Sequence, residues 1–382
     1  MSWTRCSGSV CGHIIIAFEP KISGVLPGTR TANSLVGTVF FILINGQAAV
    51  VFFFVLSGYV LTTRFFENPV SDYLMTAALK RLPRLALLTT IVTVASALIW
   101  LSDLYLCRQA SELTGSSWLH DFASANLPDN FHPSLLGAFG QGMWRTFFAG
   151  DSYYDTVLWT MMYEFHGSIV VFIAAPFIVF VLKNKLAWLS FTFALLIFRF
   201  ASPYMMSFIC GMGIAYYRQA LFSLASPPLT AILVFLGVYL LGFYLPDGHY
   251  AVFANFLKLA AGNGFVFQIL LQTIGATCII IAVLQSPIAE RILDNRIGVI
   301  LGRLSFPIYL VHVPIILSAS SAVYLGLFPF IGERSIWGAA ASTLILTFAI
   351  SWPLAWIDIT WVQFLNGQMR KLLLHLDKAA YQ

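Results

Sequence analysis

The sequence predicts an all-α protein in which about ten helices cross a membrane as one bundle. The chain is 59% hydrophobic, only 10% of its 382 residues are charged, and its mean hydropathy is +0.83. Soluble domains are about 45–50% apolar and about 25% charged, so the composition excludes an ordinary soluble protein. We expect one integral-membrane domain over residues 1–382, with the lipid bilayer as its partner. The net charge of +5 arises from basic residues between apolar runs, which indicates membrane topology and not nucleic-acid binding.

The apolar runs place the individual spans. A helix that crosses the hydrocarbon core needs about 20 predominantly apolar residues. Nine runs are candidates, and a tenth, around residues 9–18, is too short as it stands. The pair 186–200 and 204–217 is joined by Ser202-Pro203, which favours a tight hairpin. The nine runs cover residues 46–66, 85–101, 157–182, 186–200, 204–217, 229–245, 264–285, 301–327 and 336–357.

The basic residues predict which side of the membrane each connection occupies. If the segment near residues 9–18 crosses, about two thirds of the 21 Lys and Arg residues fall on the same side as the two termini. Basic residues accumulate in cytosolic connections, so we expect both termini in the cytosol. The long hydrophilic connection 102–156 then lies on the other side. Its Pro128-Asp129 and His132-Pro133 steps predict an irregular lid over the outer mouth of the bundle.

Ionisable residues inside a membrane are costly and are therefore candidates for function. His13 could act as a general base, or it could be an interfacial histidine with a solvent partner. Glu164 needs a partner or a proton, whether that serves catalysis or structural pairing. Tyr309 and His312 share a helical face. Such a polar stripe either lines a substrate cavity or ties helices together.

The most specific stretch joins an apolar run to a basic cluster. The run contains the small polar group Ser57-Gly58-Tyr59, and the cluster Lys80-Arg81-x-x-Arg84 opens the next run. Two guanidinium groups on one face could hold phosphates bidentately, although positive-inside flanking also explains basic residues here. The sequence lacks a P-loop, a dinucleotide-binding glycine motif, a GxSxG elbow and any clustered metal-ligand set, so we predict no metal cofactor.

Taken in order, these stretches resemble acyltransferase family 3, whose members are multi-pass membrane O-acyltransferases. The likeness extends from about His13 to Asp358. The segments that carry it are FFFVLSGYVLTTRFF at 52–66, KRLPRL at 80–85, LWTMMYEFHGS at 158–168, LSFPIYLVHVPI at 304–315 and SWPLAWID at 351–358.

The resemblance implies a function and a set of site residues. It implies transfer of an acyl group from acyl-CoA, the co-substrate, to a hydroxyl group of a carbohydrate, lipid or secondary-metabolite acceptor. It implies that His13 takes the position of the family's catalytic histidine and that Glu164 lines the central cavity. Our hypothesis for the mechanism is that Glu164 orients or charge-stabilises the imidazole of His13. The acyl-CoA site would comprise Arg81 and Arg84 with help from Lys80. A turn at Ser57-Gly58-Tyr59 would line the cavity together with Tyr309 and His312.

The N-terminus departs from the family pattern. Only MSWTRCSGSVCG precedes His13, where relatives have a long apolar segment, so we expect a truncated or incomplete first span. Two other functions stay open at this point. The bundle could export an acidic or acylated metabolite, or it could be a catalytically impaired scaffold.

Overall fold

A computed structural model describes residues 3–69, 71–128, 130–184, 202–245, 247–255 and 264–380, and every regular element in these ranges is helical. This confirms the all-α prediction. The predicted span 186–200 lies outside the described residues. In chain order the α-helices are α1 (Trp3–Phe18), α2 (Pro20–Ser23), α3 (Gly46–Glu67), α4 (Ser71–Leu101), α5 (Cys107–Thr114), α6 (Ser117–His120), α7 (Leu135–Gly140), α8 (Thr146–Phe148), α9 (Trp159–Lys183), α10 (Pro203–Tyr216), α11 (Arg218–Ser223), α12 (Pro227–Leu241), α13 (Gly264–Gln285), α14 (Pro287–Leu293), α15 (Arg296–Ile315), α16 (Ser321–Ile331) and α17 (Ser335–Ala380).

Short irregular helices complete the described fold. Four 3₁₀ helices and two π-helical turns connect or interrupt the α-helices, at Val39–Leu43, Thr156–Leu158, Gly248–Phe253, Gly332–Arg334, Gln141–Arg145 and Ile316–Ser320. By length and composition, five helical stretches among the described residues are long and apolar enough to cross a membrane. They are Gly46–Glu67, Tyr73–Leu101, Thr156–Lys183, Gly264–Gln285 and Arg296–Leu373.

Helix α1 begins earlier than the short apolar run at residues 9–18, because it also includes the polar residues before that run. It is helical from Trp3 and has 16 residues, which corresponds to a length of about 24 Å. Its buried positions Val10, Ile14 and Ala17 follow a helical repeat and pack with Ile308 of α15 in one apolar cluster. This packing fixes α1 against α15 and thereby positions His13, which lies between these buried positions.

Helices α3 and α10 are in close backbone contact, and glycine makes this contact possible. A Cβ added at Gly58 would lie 2.1 Å from the carbonyl oxygen of Phe208, and one added at Gly211 would lie 1.8 Å from that of Val55. Small residues commonly allow membrane helices to approach in this way. The predicted turn at Ser57-Gly58-Tyr59 is wrong, because these residues are in the middle of α3 and Gly58 serves the packing.

Helix α4 begins well before the apolar run that predicted it. It starts at Ser71 and contains Pro83, so the basic cluster lies inside a helix and not at its start. Proline lacks an N–H and leaves a carbonyl of the preceding turn without its helical partner. The carbonyl of Pro83 itself accepts a hydrogen bond from the indole Nε1 of Trp361 at 2.9 Å, which joins α4 to α17.

The connection 102–156 is more ordered than the predicted irregular lid. From Leu135 to Phe148 it is continuously helical and runs antiparallel to α4. Thr93 donates to the carbonyl of Ala138 at 2.9 Å, and Thr89 donates to that of Gly142 at 2.7 Å. The correction has a physical reason: this segment is apolar, and threonine hydroxyls of α4 bind its carbonyls.

We call residues 135–148 the descending segment, because the chain here runs back along α4, starting near the end of that helix at Leu101. Its last residues reach α9, where the rings of Phe148 and Phe165 are 5.5 Å apart. It also presents an apolar surface, with Leu136 82% exposed and Trp144 56% exposed. The chain turns back at Gly150, whose φ of 77° is in the left-handed region that favours glycine.

Candidate active site

Residues in the part of the chain that the structure describes line two cavities that contain residues singled out by the sequence. The first, which we call the histidine cavity, has a volume of about 560 Å³ and is lined by His13, Trp118, Trp159 and Tyr309 among others. The second, the arginine cavity, has a volume of about 520 Å³ and is lined by Arg81, Arg84 and Glu164 among others. The predicted site residues are therefore divided between two places.

His13 is paired with His312. The Nδ1 atom of His13 is 2.8 Å from the Nε2 atom of His312. The ring centroids are 5.1 Å apart and the ring planes differ by 16°. The ring centroids are too far apart for rings stacked face to face, whereas the N–N distance is short and the ring planes are nearly parallel. The two rings therefore lie almost in one plane and meet edge to edge, which is the arrangement that an in-plane hydrogen bond requires. His312 is fully buried.

A tryptophan from the 102–156 connection covers one side of His13. The ring of Trp118 is 5.2 Å from the imidazole, and the two planes differ by 16°. Ser116 places this residue, since its hydroxyl donates to the carbonyl of Ile16 at 2.7 Å and its side chain caps α6. The indole face carries negative electrostatic potential and would favour a positively charged imidazolium.

Tyr309 connects α15 to the beginning of α9. Its hydroxyl donates to the carbonyl of Val157 at 3.0 Å, and it lies 2.8 Å from the hydroxyl of Thr160. Tyr309 lines the histidine cavity. His312 lies behind His13 and is not itself at the cavity surface.

Glu164 is paired with Arg81 in the arginine cavity. The two side chains form an ion pair in which they are 3% and 9% exposed, respectively. Ser57 donates to Glu164 Oε1 at 2.9 Å, and Arg81 Nε donates to Ser168 Oγ at 2.7 Å. The predicted pairing of Glu164 with His13 is therefore wrong, because His312 holds the position next to His13.

The basic residues of the arginine cavity differ in how accessible they are. Arg81 is buried against Glu164, whereas the side chain of Arg84 is 45% exposed and is 3.8 Å from Asp358. Lys80 donates to the amide oxygen of Asn366 at 2.7 Å. The prediction that Arg81 and Arg84 lie on one face agrees with the structure, because both line the arginine cavity. Of the two, Arg84 has its charge largely available to a ligand, whereas the charge of Arg81 is engaged by Glu164.

Several lining residues were missed in the sequence. Arg303 and Gln363 line the arginine cavity beside Arg84, but Arg303 was assigned only to membrane topology. Its position on the same helix as Tyr309 and His312, six residues before Tyr309, was the available signal. Trp118 had no recognisable signal, because only the fold brings this connection over His13. Tyr59 was predicted to line a cavity, but it packs beside Ile214 and Leu241 and lines neither of the two.

The two cavities are close to each other along three helices. On α3, a residue that lines one cavity is followed three residues later by a residue that lines the other. The corresponding interval is two residues on α9 and three residues on α15. Three residues of an α-helix correspond to about 4.5 Å along its axis. We call the residues at this boundary the dividing layer: Val50, Trp159 and Tyr309 on the side of the histidine cavity, and Phe53, Met161 and Phe306 on the side of the arginine cavity.

This fold and these cavities define a helical membrane protein with a histidine pair and a cationic pocket on either side of a thin apolar layer. The chain belongs to the Acyl_transf_3 family, described as an acyltransferase domain, whose model matches residues 6–356. The match covers nearly the whole chain and confirms the family resemblance of the sequence motifs. No curated protein and no solved structure gives a significant match.

Proposed function

We propose that the protein transfers an acyl group from acyl-CoA to a hydroxyl group of a small-molecule or glycan acceptor. Membership of an acyltransferase family supports the reaction class. The observation that carries the proposal is the short separation between a cationic cavity and a cavity that contains a histidine pair. A polyanionic donor and a hydroxyl acceptor need two such environments, and the reacting atoms must meet between them.

The arginine cavity suits the phosphate groups of acyl-CoA. Arg84 offers a half-exposed guanidinium, and Arg303 lines the same cavity. Guanidinium groups bind phosphates through charge-assisted, bidentate hydrogen bonds. Lys80 lies one turn before Arg84 on α4 and adds positive charge near that side chain. In this proposal Arg81 shapes the wall through its ion pair with Glu164, and it does not bind phosphate itself.

The histidine cavity suits the acceptor and the chemical step. His13 takes the proton of the acceptor hydroxyl, and the oxygen attacks the thioester carbonyl. A new C–O bond forms, the C–S bond breaks, and the thiolate of CoA leaves with the proton that His13 returns. A positioned general base contributes about 10²- to 10⁴-fold to such a reaction. The thioester must pass the dividing layer to reach His13.

The test follows the label of [¹⁴C]acetyl-CoA into any extractable product of membranes that contain the protein. We expect transfer with the wild-type protein and a loss of about 10²-fold or more with His13→Ala. Equal transfer by the two proteins would contradict the proposal. Movement of label across sealed vesicles without release of free CoA would instead favour the exporter.

A binding experiment tests the donor site separately. Arg84→Gln should weaken acetyl-CoA binding to the purified protein about tenfold or more, because a hydrogen bond to a charged group contributes about 1.5–3 kcal/mol. Arg291, which is exposed on α14 and lines neither cavity, provides the matched control Arg291→Gln. Unchanged binding by Arg84→Gln would exclude the arginine cavity as the donor site.

A further inference from the structure

We propose that His312 is a positioning residue that fixes the tautomer of His13, so that the base in the acyl transfer is Nε2 of His13. This inference rests on the proposed function and goes beyond it, because it assigns the reacting atom and the residue that sets it. The carboxylate that usually orients a catalytic histidine is replaced here by a second imidazole.

The hydrogen-bond chain determines where each proton lies. His312 Nδ1 is 3.1 Å from the carbonyl oxygen of Ile308. A carbonyl oxygen can only accept, so His312 Nδ1 carries a proton. Neutral imidazole has one N–H and one acceptor nitrogen, which makes Nε2 of His312 the acceptor. His13 must then donate from Nδ1, and its own lone pair is left on Nε2.

Burial supports the neutral form of His312 on which this assignment depends. The residue is fully buried within α15, and its two ring nitrogens are both occupied by partners of the required kind. A charged imidazolium at this position would have to donate to His13 as well as to Ile308. Burying such a charge without a counter-ion is costly, and the anionic Glu164 lies in the other cavity.

The pair remains intact through the reaction. When Nε2 of His13 takes the acceptor proton, the ring becomes an imidazolium that still donates from Nδ1 to His312. Trp118 presents its face to this cation. When the proton leaves with the CoA thiolate, the ring returns to the tautomer that His312 selects. His13 therefore does not need to flip between turnovers.

Two amide substitutions separate the two hydrogen bonds of His312. The side chain of glutamine reaches the position of Nε2, so His312→Gln can still accept from His13. The side chain of asparagine reaches only the position of Nδ1, so His312→Asn keeps the bond to Ile308 and loses the contact with His13. We expect His312→Gln to retain at least about a tenth of kcat and His312→Asn to lose about 10²-fold in kcat, with KM for acetyl-CoA unchanged in both.

The controls distinguish failure of this inference from failure of the proposed function. Thermal unfolding of both variants in detergent should show similar midpoints, which excludes a folding defect. In [¹⁵N]histidine-labelled protein, the His13 signals, identified by their loss in His13→Ala, should report a protonated Nδ1 and an unprotonated Nε2. If His13→Ala abolishes transfer but His312→Asn has the kcat of His312→Gln, the positioning role is refuted while the acyl transfer stands. If His13→Ala transfers label normally, the proposed function itself fails.

Discussion

Asp155, which directly precedes the candidate membrane span Thr156–Lys183, is a buried carboxyl whose protonation bears on the stability of the protein. It directly precedes the 3₁₀ helix at Thr156–Leu158, and the residue is 1% exposed. Burial raises the pKa of the Asp155 carboxyl well above its usual range, and the backbone N–H of Val157 only partly opposes this. The folded protein therefore binds a proton at Asp155 that the unfolded chain releases.

This residue makes the stability of the protein depend on pH. The unfolded carboxyl titrates near pH 4, so the contribution of Asp155 to stability is most favourable below about pH 4 and becomes less favourable as the pH rises towards the pKa of the folded state. The slope is at most about 1.4 kcal/mol per pH unit. We expect Asp155→Asn to unfold at a higher temperature than wild type at about pH 8, and at a temperature that depends less on pH.

Thermal unfolding in detergent between about pH 5 and pH 8 measures this effect. The exposed Asp294 supplies the control Asp294→Asn, which should retain the wild-type pH dependence. A parallel pH dependence of Asp155→Asn and wild type would show that Asp155 is ionised in the folded protein.

At the scale of helices, the contact between α3 and α10 requires glycine at some positions and not at others, even within one helical turn of α10. A Cβ added at Gly211 would lie 1.8 Å from the carbonyl oxygen of Val55, whereas one added at Gly213 has nothing within 4 Å. Gly211→Ala should destabilise the protein by about 1–3 kcal/mol through overpacking. Gly213→Ala should be neutral or slightly stabilising, because alanine favours a helix by up to about 1 kcal/mol over glycine.

Chemical denaturation of the purified variants in mixed micelles measures the difference. Equal stability of Gly211→Ala and Gly213→Ala would mean that α3 and α10 separate more easily than their packing indicates. Acyl transfer by both variants should follow their stability, since neither residue lines a cavity.

The sequence predicted a helix well where hydropathy alone determines its bounds. It predicted a helix less well where contacts with other helices determine the bounds. The runs 46–66 and 264–285 match α3 and α13 because long apolar stretches have few alternatives in a bilayer. The start of α4 was missed, since residues 71–84 are mixed in polarity and become helical through contacts such as Trp361 with Pro83. The descending segment was missed for the same reason, because threonines of α4 bind its carbonyls.

The candidate site was predictable as a set of residues but not as a set of pairs. His13, Arg81, Arg84, Glu164 and His312 were all identified as candidates, and all of them lie in or beside the two cavities. Their partners were not, because pairing depends on the depth and rotation of each helix, and a one-residue shift rotates a helix by about 100°. Glu164 was therefore assigned to His13, although its partner on α4 is Arg81.

At the scale of the whole molecule, the dividing layer bears on which donors the proposed reaction can use. In that proposal the thioester has to pass Phe53, Met161 and Phe306 to approach His13, so the width of this layer would limit the acyl chain. Phe306→Ala would remove a ring from the arginine-cavity side of the layer. We expect this variant to raise kcat/KM for octanoyl-CoA relative to acetyl-CoA by about tenfold, a discrimination of the size that a few methylene groups provide in an apolar pocket.

Competition between the two acyl-CoA donors measures this ratio directly. Phe330, which is 83% exposed on α16, provides the control Phe330→Ala, and its donor preference should equal that of wild type. If Phe306→Ala also keeps the wild-type preference, chain length is selected elsewhere in the protein.

The ion pair between Arg81 and Glu164 also constrains how this sequence can diverge. Loss of either partner alone would leave an uncompensated buried charge and would cost about 3–5 kcal/mol, whereas apolar replacement of both can be nearly neutral. Single substitutions can therefore convert the ion pair into an apolar pair only through an intermediate protein that is strongly destabilised. The two positions should therefore covary: a homologue in which one of the two residues is replaced should also have a replacement at the other.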